Sequence, residues 1–478
     1  MEADKLKVAV LHSLKWVVAG KVLTQVFRWV MTFWVIRLLT PEDYGLVAMA
    51  DVLLSFLMLI VGALFSPAIV QSKHIDNLTL SRLFGGVLLV HSSVFLLQYF
   101  SADLVASYYN ADAVADILKV NAWCFLILAF NVIPQALLTR QMQFKKISII
   151  SALSNITAAV TTLLMALNDY GYWSIVIGEV LSITLKTILV IAVNPVLLFP
   201  RFDLSAASEY LKFGGIVVVH GIIFYIFTHV DVFIAGRYLS AAEVGLFALS
   251  LQFALMPQKK LLPLLKQIAF PAFSKIQDNT SKLAWYVEKV QRLSFTLTIP
   301  IFWGLASVVD LAIPIILGEK WIDAIYPCII ILFMMPLRFS DELFFPALKS
   351  QRKVGHLIVN TLIATTALTI SLLLLVGYGA LGLALAWLVS FPCVYTINVT
   401  RNCNALNVSL KAVGVCLIKP IVCGGVMVAT IFSMKLVIGN VSICNMFLQI
   451  GIGALTYVLT SFLFNRKSLK ELIFLFKR

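Results

Sequence analysis

The chain has 478 residues, of which 61% are hydrophobic and 13% charged, with a formal net charge of +14 and a mean hydropathy of +0.97. A water-soluble protein of this length needs far more polar surface to cover its core, so composition excludes a soluble enzyme. Lipid removes that need, but in hydrocarbon only helices and closed barrels satisfy their own backbone. The apolar runs are continuous over about twenty residues, which predicts helices rather than the alternating strands of a barrel.

In chain order the spans are expected at 13–36, 44–66, 83–100, 117–137, 148–167, 172–193, 213–235, 244–267, 293–317, 324–346, 356–376, 379–399, 412–433 and 442–464. The expected fold is therefore an all-α polytopic membrane protein of about fourteen transmembrane helices. The segment Met1 to Leu14 is charged and lacks a cleavage site, so the N-terminus is expected to stay attached. The longest loops fall at 101–116, 194–212 and 268–292, which leaves no room for a separate soluble domain. Seven cysteines (Cys124, Cys328, Cys393, Cys403, Cys416, Cys423 and Cys444) lie in or beside apolar runs without CxxC or Cys/His spacing. They are expected as small buried hydrophobes, with no metal and no cofactor.

Loop charges set the expected orientation. Loops on the N-terminal side carry Lys5, Lys73, Arg140, Lys145, Lys146, Arg201, Lys282, Arg352, Lys411 and the basic tail, whereas the opposite loops offer Arg37, Arg237, Lys320 and Lys435. Loops rich in Lys and Arg remain cytoplasmic, so both termini are expected there. The cations follow topology and form no compact recognition module, and no nucleic-acid partner is expected.

One pattern occurs twice, 200 residues apart. Arg37-Leu-Leu-Thr-Pro-Glu-Asp-Tyr-Gly-Leu-Val-Ala48 matches Arg237-Tyr-Leu-Ser-Ala-Ala-Glu-Val-Gly-Leu-Phe-Ala248 at Arg37/Arg237, Leu39/Leu239, Thr40/Ser240, Asp43/Glu243, Gly45/Gly245, Leu46/Leu246 and Ala48/Ala248. Thr40 or Ser240 followed three residues later by Asp43 or Glu243 predicts a capping box at the start of the next helix. The offset is six helices, so the copies point the same way across the membrane. This predicts two pseudo-symmetric six-helix bundles related by an axis along the membrane normal, with a site between them. The expected division is 1–200, 201–405, and 406–478 for two further helices and a basic tail.

The stretch Arg37-Leu-Leu-Thr-Pro-Glu-Asp-Tyr-Gly-Leu-Val-Ala-Met, followed by Phe65-Ser-Pro-Ala-Ile-Val-Gln71, resembles the Wzx-like polysaccharide flippases that export lipopolysaccharide and exopolysaccharide units. That family belongs to the superfamily of multidrug extruders, oligosaccharidyl-lipid flippases and polysaccharide exporters. The resemblance implies alternating access in the bacterial inner membrane. The implied cargo is an undecaprenyl-diphosphate-linked oligosaccharide moved from the cytoplasmic to the periplasmic leaflet. It also implies other polysaccharide assembly proteins as partners beside the bilayer itself.

Charges inside the spans point to a site. A charge at mid-membrane costs roughly 2.5–3.5 kcal/mol on insertion scales, so it should face water or a partner. Lys21, Gln25, Arg28 and Thr32 share one face of the first span. Gln252, Lys259 and Lys266 recur every seven residues in the eighth, with Lys260 adjacent and Pro257 and Pro263 interrupting. Arg338 sits one turn from Asp341 and Glu342. Lys21, Gln25, Arg28, Gln252, Lys259, Lys260 and Arg338 are expected to form a cationic cavity suited to a lipid diphosphate. Lys266, Lys186 and Lys419 are expected to snorkel to the interface. Among the intramembrane acids Asp51, Glu179, Asp231 and Asp310, Asp231 is the coupling candidate; proton, sodium and membrane potential all stay open as the driving force.

Two other functions compete. A cation-coupled multidrug exporter would call for acids in the cavity, whereas the deepest charges here are mainly basic. A membrane enzyme of glycan assembly, a polymerase or ligase, would need a large catalytic loop, and the 101–116 segment has three aspartates but no Lys, Arg or His. No nucleophile or metal constellation occurs, so the expectation is a transporter and not an enzyme.

Overall fold

The computed structural model describes residues 27, 29–64, 69–70, 76–196, 198–202, 204–438 and 441–476. Its long helices, in chain order, are α1 (Trp29–Leu38), α2 (Pro41–Leu64), α3 (Asn77–Tyr109), α4 (Ala113–Arg140), α5 (Phe144–Leu167), α6 (Trp173–Val193), α7 (Leu204–Tyr238), α8 (Ala241–Ser274), α9 (Thr280–Ile316), α10 (Ile325–Glu342), α11 (Val354–Leu375), α12 (Gly379–Leu406), α13 (Leu410–Val437) and α14 (Ile443–Phe464). An amphipathic helix, α15 (Arg466–Phe476), ends the described chain. No strand occurs among the described residues. Each expected span overlaps one of α1 to α14.

Ten stretches among the described residues are long and apolar enough to cross a membrane, and one of them, Val354–Leu406, holds both α11 and α12. The expected spans outside those ten are α1, α7 and α8. In α8 the reason is composition, since Lys259, Lys260 and Lys266 interrupt an apolar run.

The helices run past the hydrocarbon, and this corrects the loop lengths expected above. The 101–116 segment is helical except at Asn110–Asp112, because α3 continues to Tyr109 and α4 starts at Ala113. Asn110, at φ 52, takes the left-handed conformation that ends α3,. Likewise α8 reaches Ser274 and α9 begins at Thr280. A helix satisfies its own backbone in water as in lipid, so hydropathy does not mark where it stops. Side-chain caps mark the starts instead. Asp76 accepts from the Thr79 N–H at 3.0 Å, Asn279 from Lys282 at 2.9 Å, and Ser442 from Asn445 at 3.1 Å. The bonds from Thr79 hold the Asp76 carboxyl below its usual range,.

The chain divides into two compact units, residues 1–222 and 223–478, with the division inside α7. In the first, Leu54, Leu57 and Val61 of α2 pack with Val94 of α3 and Phe125 of α4. A second cluster joins Leu80, Leu83 and Val87 of α3 to Ala129, Ile133 and Ala136 of α4. In the second unit α10 packs between α9 and α12, and α13 and α14 pack against α9. Large apolar side chains such as Leu104, Leu164, Leu374 and Leu463 stay exposed, as a lipid-facing surface requires,.

Four cysteines are buried as expected, Cys124, Cys328, Cys403 and Cys423. Cys393 and Cys444 are exposed and Cys416 is half-buried, because they lie on outward faces of their helices.

Both copies of the repeat form the capping box. Thr40 N–H donates to Asp43 Oδ2 at 3.0 Å, and Asp43 N–H donates to Thr40 Oγ1 at 3.2 Å. Ser240 N–H donates to Glu243 Oε2 at 3.2 Å, and Glu243 N–H to Ser240 Oγ at 3.3 Å. In each copy the second carboxylate oxygen reaches a distant helix start. Asp43 Oδ1 accepts from Tyr172 N–H at 2.9 Å, just before α6, and Glu243 Oε1 lies against Gly379, the first residue of α12. Gly171 and Gly379 have φ of +52° and +69°, and a Cβ at either would meet the carboxylate,. Thus each unit contains one acid that caps its own helix and lies against the start of another, which Asp43 also holds by a hydrogen bond. Of the second motif segment, Phe65–Gln71, only residues 69 and 70 lie among those described.

Candidate functional site

Helix α7 carries Phe227 and Asp231 one turn apart, α10 carries Arg338, and α12 carries Trp387. Within the second unit these residues come together. The Arg338 guanidinium lies 4.8 Å from the Trp387 ring centroid and 5.4 Å from that of Phe227, a geometry in which the ring faces attract the cation. The two rings stand edge to face at 5.9 Å. Asp231 is fully buried and Arg338 is 5% exposed, and their charges interact.

The arrangement leaves polar capacity unused. Asp231 Oδ1 accepts from the Val232 N–H at 2.8 Å, while Asp231 Oδ2, Arg338 Nε and Trp387 Nε1 all lack a hydrogen-bond partner. The Trp387 indole is within electrostatic reach of the carboxylate without closing a hydrogen bond of full geometry. Orphaned polar atoms are costly in a buried site. Several in one place make the burial of this pair costlier still. Beside it, His229 stacks on Tyr225 at 3.9 Å.

Further along α10 the polar residues engage three other helices, α8, α9 and α12. Ser340 Oγ donates to Gln291 Oε1 of α9 at 2.5 Å and contacts Tyr395 Oη of α12 at 2.9 Å. Asn398 Nδ2 of α12 donates to Asp341 at 3.1 Å. Glu342 pairs with Lys266 of α8, so Lys266 is held by an acid and does not simply snorkel to the interface. Glu342 also acts on Arg338, as the one-turn spacing predicts.

Lys21, Gln25 and Arg28 lie outside the described residues. Gln252 is half-buried on α8, and Lys259 and Lys260 are exposed there; all three take part in further interactions. Arg338 is set beneath the surface and shares its charge between Asp231 and Glu342. The Asp231–Arg338 relation joins residues 107 positions apart in sequence, and no local spacing announces it. Phe227 and Trp387, absent from the sequence reading, left no signal beyond their aromatic character in apolar helices.

In the first unit, Asp51 of α2 and Glu179 of α6 interact electrostatically, and Asp51 accepts from Ser55 at 2.8 Å. Asp310 accepts from Lys435 at 2.6 and 2.7 Å, which ties α9 to the end of α13. His91 is packed, its Nδ1 2.9 Å from the Val87 carbonyl. Among the described residues no group of three or more His, Cys, Asp or Glu could hold a metal ion.

Residues 34–326, more than half of the chain, match the family described as polysaccharide biosynthesis protein. The chain belongs to that family. A Klebsiella pneumoniae protein described as an uncharacterized membrane protein in the cps region is 23% identical, covering 99% of both chains. The lipopolysaccharide biosynthesis protein WzxC of Escherichia coli is 26% identical over 63% of this chain and 61% of its own length. The succinoglycan biosynthesis transport protein ExoT of Rhizobium meliloti is 24% identical over 65% and 63%. The fold is that of the lipid II flippase MurJ, with a TM-score of 0.73 at 16% identity over 94% of this chain and 99% of MurJ. A multidrug transporter of the MATE family follows at a TM-score of 0.60 and 13% identity, over 80% of this chain and 95% of its own. The protein is thus a multi-pass membrane member of the polysaccharide biosynthesis family, in keeping with the resemblance carried by the Arg37–Gln71 motif, and its family points to transport rather than catalysis.

Proposed function

We propose that this protein moves an undecaprenyl-diphosphate-linked oligosaccharide from the cytoplasmic to the periplasmic leaflet of the bacterial inner membrane by alternating access. The observation that carries the reading is the exposure of Lys259 and Lys260 on α8 of a polysaccharide biosynthesis family member. Exposed cations on an otherwise largely apolar helix lower the energy of drawing a diphosphate head group out of the aqueous phase. Lys21, Gln25, Arg28 and Gln252 complete the cationic path in this reading. Asp231, with Arg338 as its counter-charge, is the coupling residue that resets the cycle on gaining or losing a proton or small cation.

The test is export in a strain deleted for the gene. The variant K259A/K260A should accumulate lipid-linked repeat units and lose surface glycan at normal membrane abundance. Full restoration of surface glycan by this variant would remove the cationic-path argument.

A further inference from the structure

A second basic site uses none of the residues assigned to the cationic path above. A cavity of about 480 Å³ opens where the N-terminal part of α9, the start of α13 and the α14–α15 turn converge. Its lining contains five cations, Arg292, Lys411, Lys419, Arg466 and Lys467, against one carboxylate, Glu288. Among the described residues Lys411, Lys419, Arg466 and Lys467 form no salt bridge. Arg292 donates to Glu471 of α15 at 2.7 Å, which docks that helix against α9, yet its buried Nε has no partner.

We propose that this cavity binds a phosphate-bearing anion at the membrane surface. Five cations against one carboxylate leave the concave wall with a net positive charge even with Arg292 paired to Glu471, which favours entry of an anion,. The N-termini of α13 and α15 both end at the cavity, adding partial positive charge to that of the side chains. Lys411 and Lys419 are separated along α13 by about 12 Å, so the site spans head-group depth rather than a single plane. From the cavity, Val415, Ile418, Val422 and Val426 run down α13 as an exposed apolar stripe. Acyl chains would lie along such a stripe while their phosphate sits among the cations. Basic pockets between helices at a membrane face take anionic lipid head groups in this way.

Full-length protein purified in detergent, stripped of lipid and placed in phosphatidylcholine nanodiscs provides the test, with cardiolipin and inorganic pyrophosphate as separate probes. Native mass spectrometry counts retained cardiolipin, and the melting temperature reports binding of either probe. The expected result is retention that falls at least about tenfold in K411E/K467E, with the variant's melting temperature in phosphatidylcholine alone unchanged. Should the reversal variant fail to fold, K411Q/K467Q replaces it. Stabilisation by cardiolipin but not pyrophosphate assigns the site to a lipid head group; stabilisation by pyrophosphate assigns it to the phosphate itself. Binding of neither probe, or equal binding by wild type and variant, overturns the proposal.

Discussion

Asp231 and Arg338 show how a charge survives in an apolar fold. Neither forms a close ion pair, yet each lies in the field of the other, and two aromatic faces complete the shell around the guanidinium. Removing Arg338 strands Asp231, a loss on the order of 3–5 kcal/mol for a buried charge, whereas removing Asp231 leaves Arg338 with Glu342 and should cost less,. Removing both is far less costly, because an apolar or neutral pair needs no counter-charge. D231N and R338M are therefore expected each to lower the melting temperature of the purified protein, and D231N/R338M to recover most of the loss. Export separates structure from coupling. If Asp231 carries the coupling step, the double variant is stable but does not restore surface glycan; restored export in that variant would reduce Asp231 to a counter-charge.

At the scale of elements, the capping acids do two jobs with two oxygens. Thr40→Ala removes the cap alone, about 1 kcal/mol. Asp43→Ala also frees the Tyr172 N–H at the start of α6, so its loss of stability should exceed that of Thr40→Ala, measured by thermal unfolding in detergent. Equal losses would show that the long-range bond contributes nothing. Gly379→Ala is expected to be at least as damaging, since it places a Cβ at positive φ against Glu243,. Helix α10 has a related role, since Arg338, Ser340, Asp341 and Glu342 answer to α7, α8, α9 and α12. One helix thereby links the candidate site to most of its unit.

For the whole molecule, the loop charges make a topological prediction that the structure sharpens. Asp112 and Asn407 are both exposed, in the α3–α4 and α12–α13 turns. With cytoplasmic termini, a cysteine at Asp112 should react with an impermeant thiol reagent in intact cells, and one at Asn407 only after the membrane is breached. The opposite labelling pattern would invert the orientation and place the basic cavity on the outer face.

The sequence by itself determined the all-helical membrane fold, the order of its spans and the family. These follow from composition, twenty-residue apolar runs and a contiguous motif, all of which are local. It also determined the two capping boxes, because Thr40–Asp43 and Ser240–Glu243 interact across three residues. Helix ends beyond the hydrocarbon were not legible, since a hydrogen-bonded backbone continues into water without a change of pattern. Only the tertiary structure decided that Asp43 reaches Tyr172, that Lys266 meets Glu342 and that Arg338 lies between Asp231 and two rings. The physical reason is common to all three. Each of these groups finds its partner on another element that the packed helices bring close, and that distance is set in space rather than along the chain.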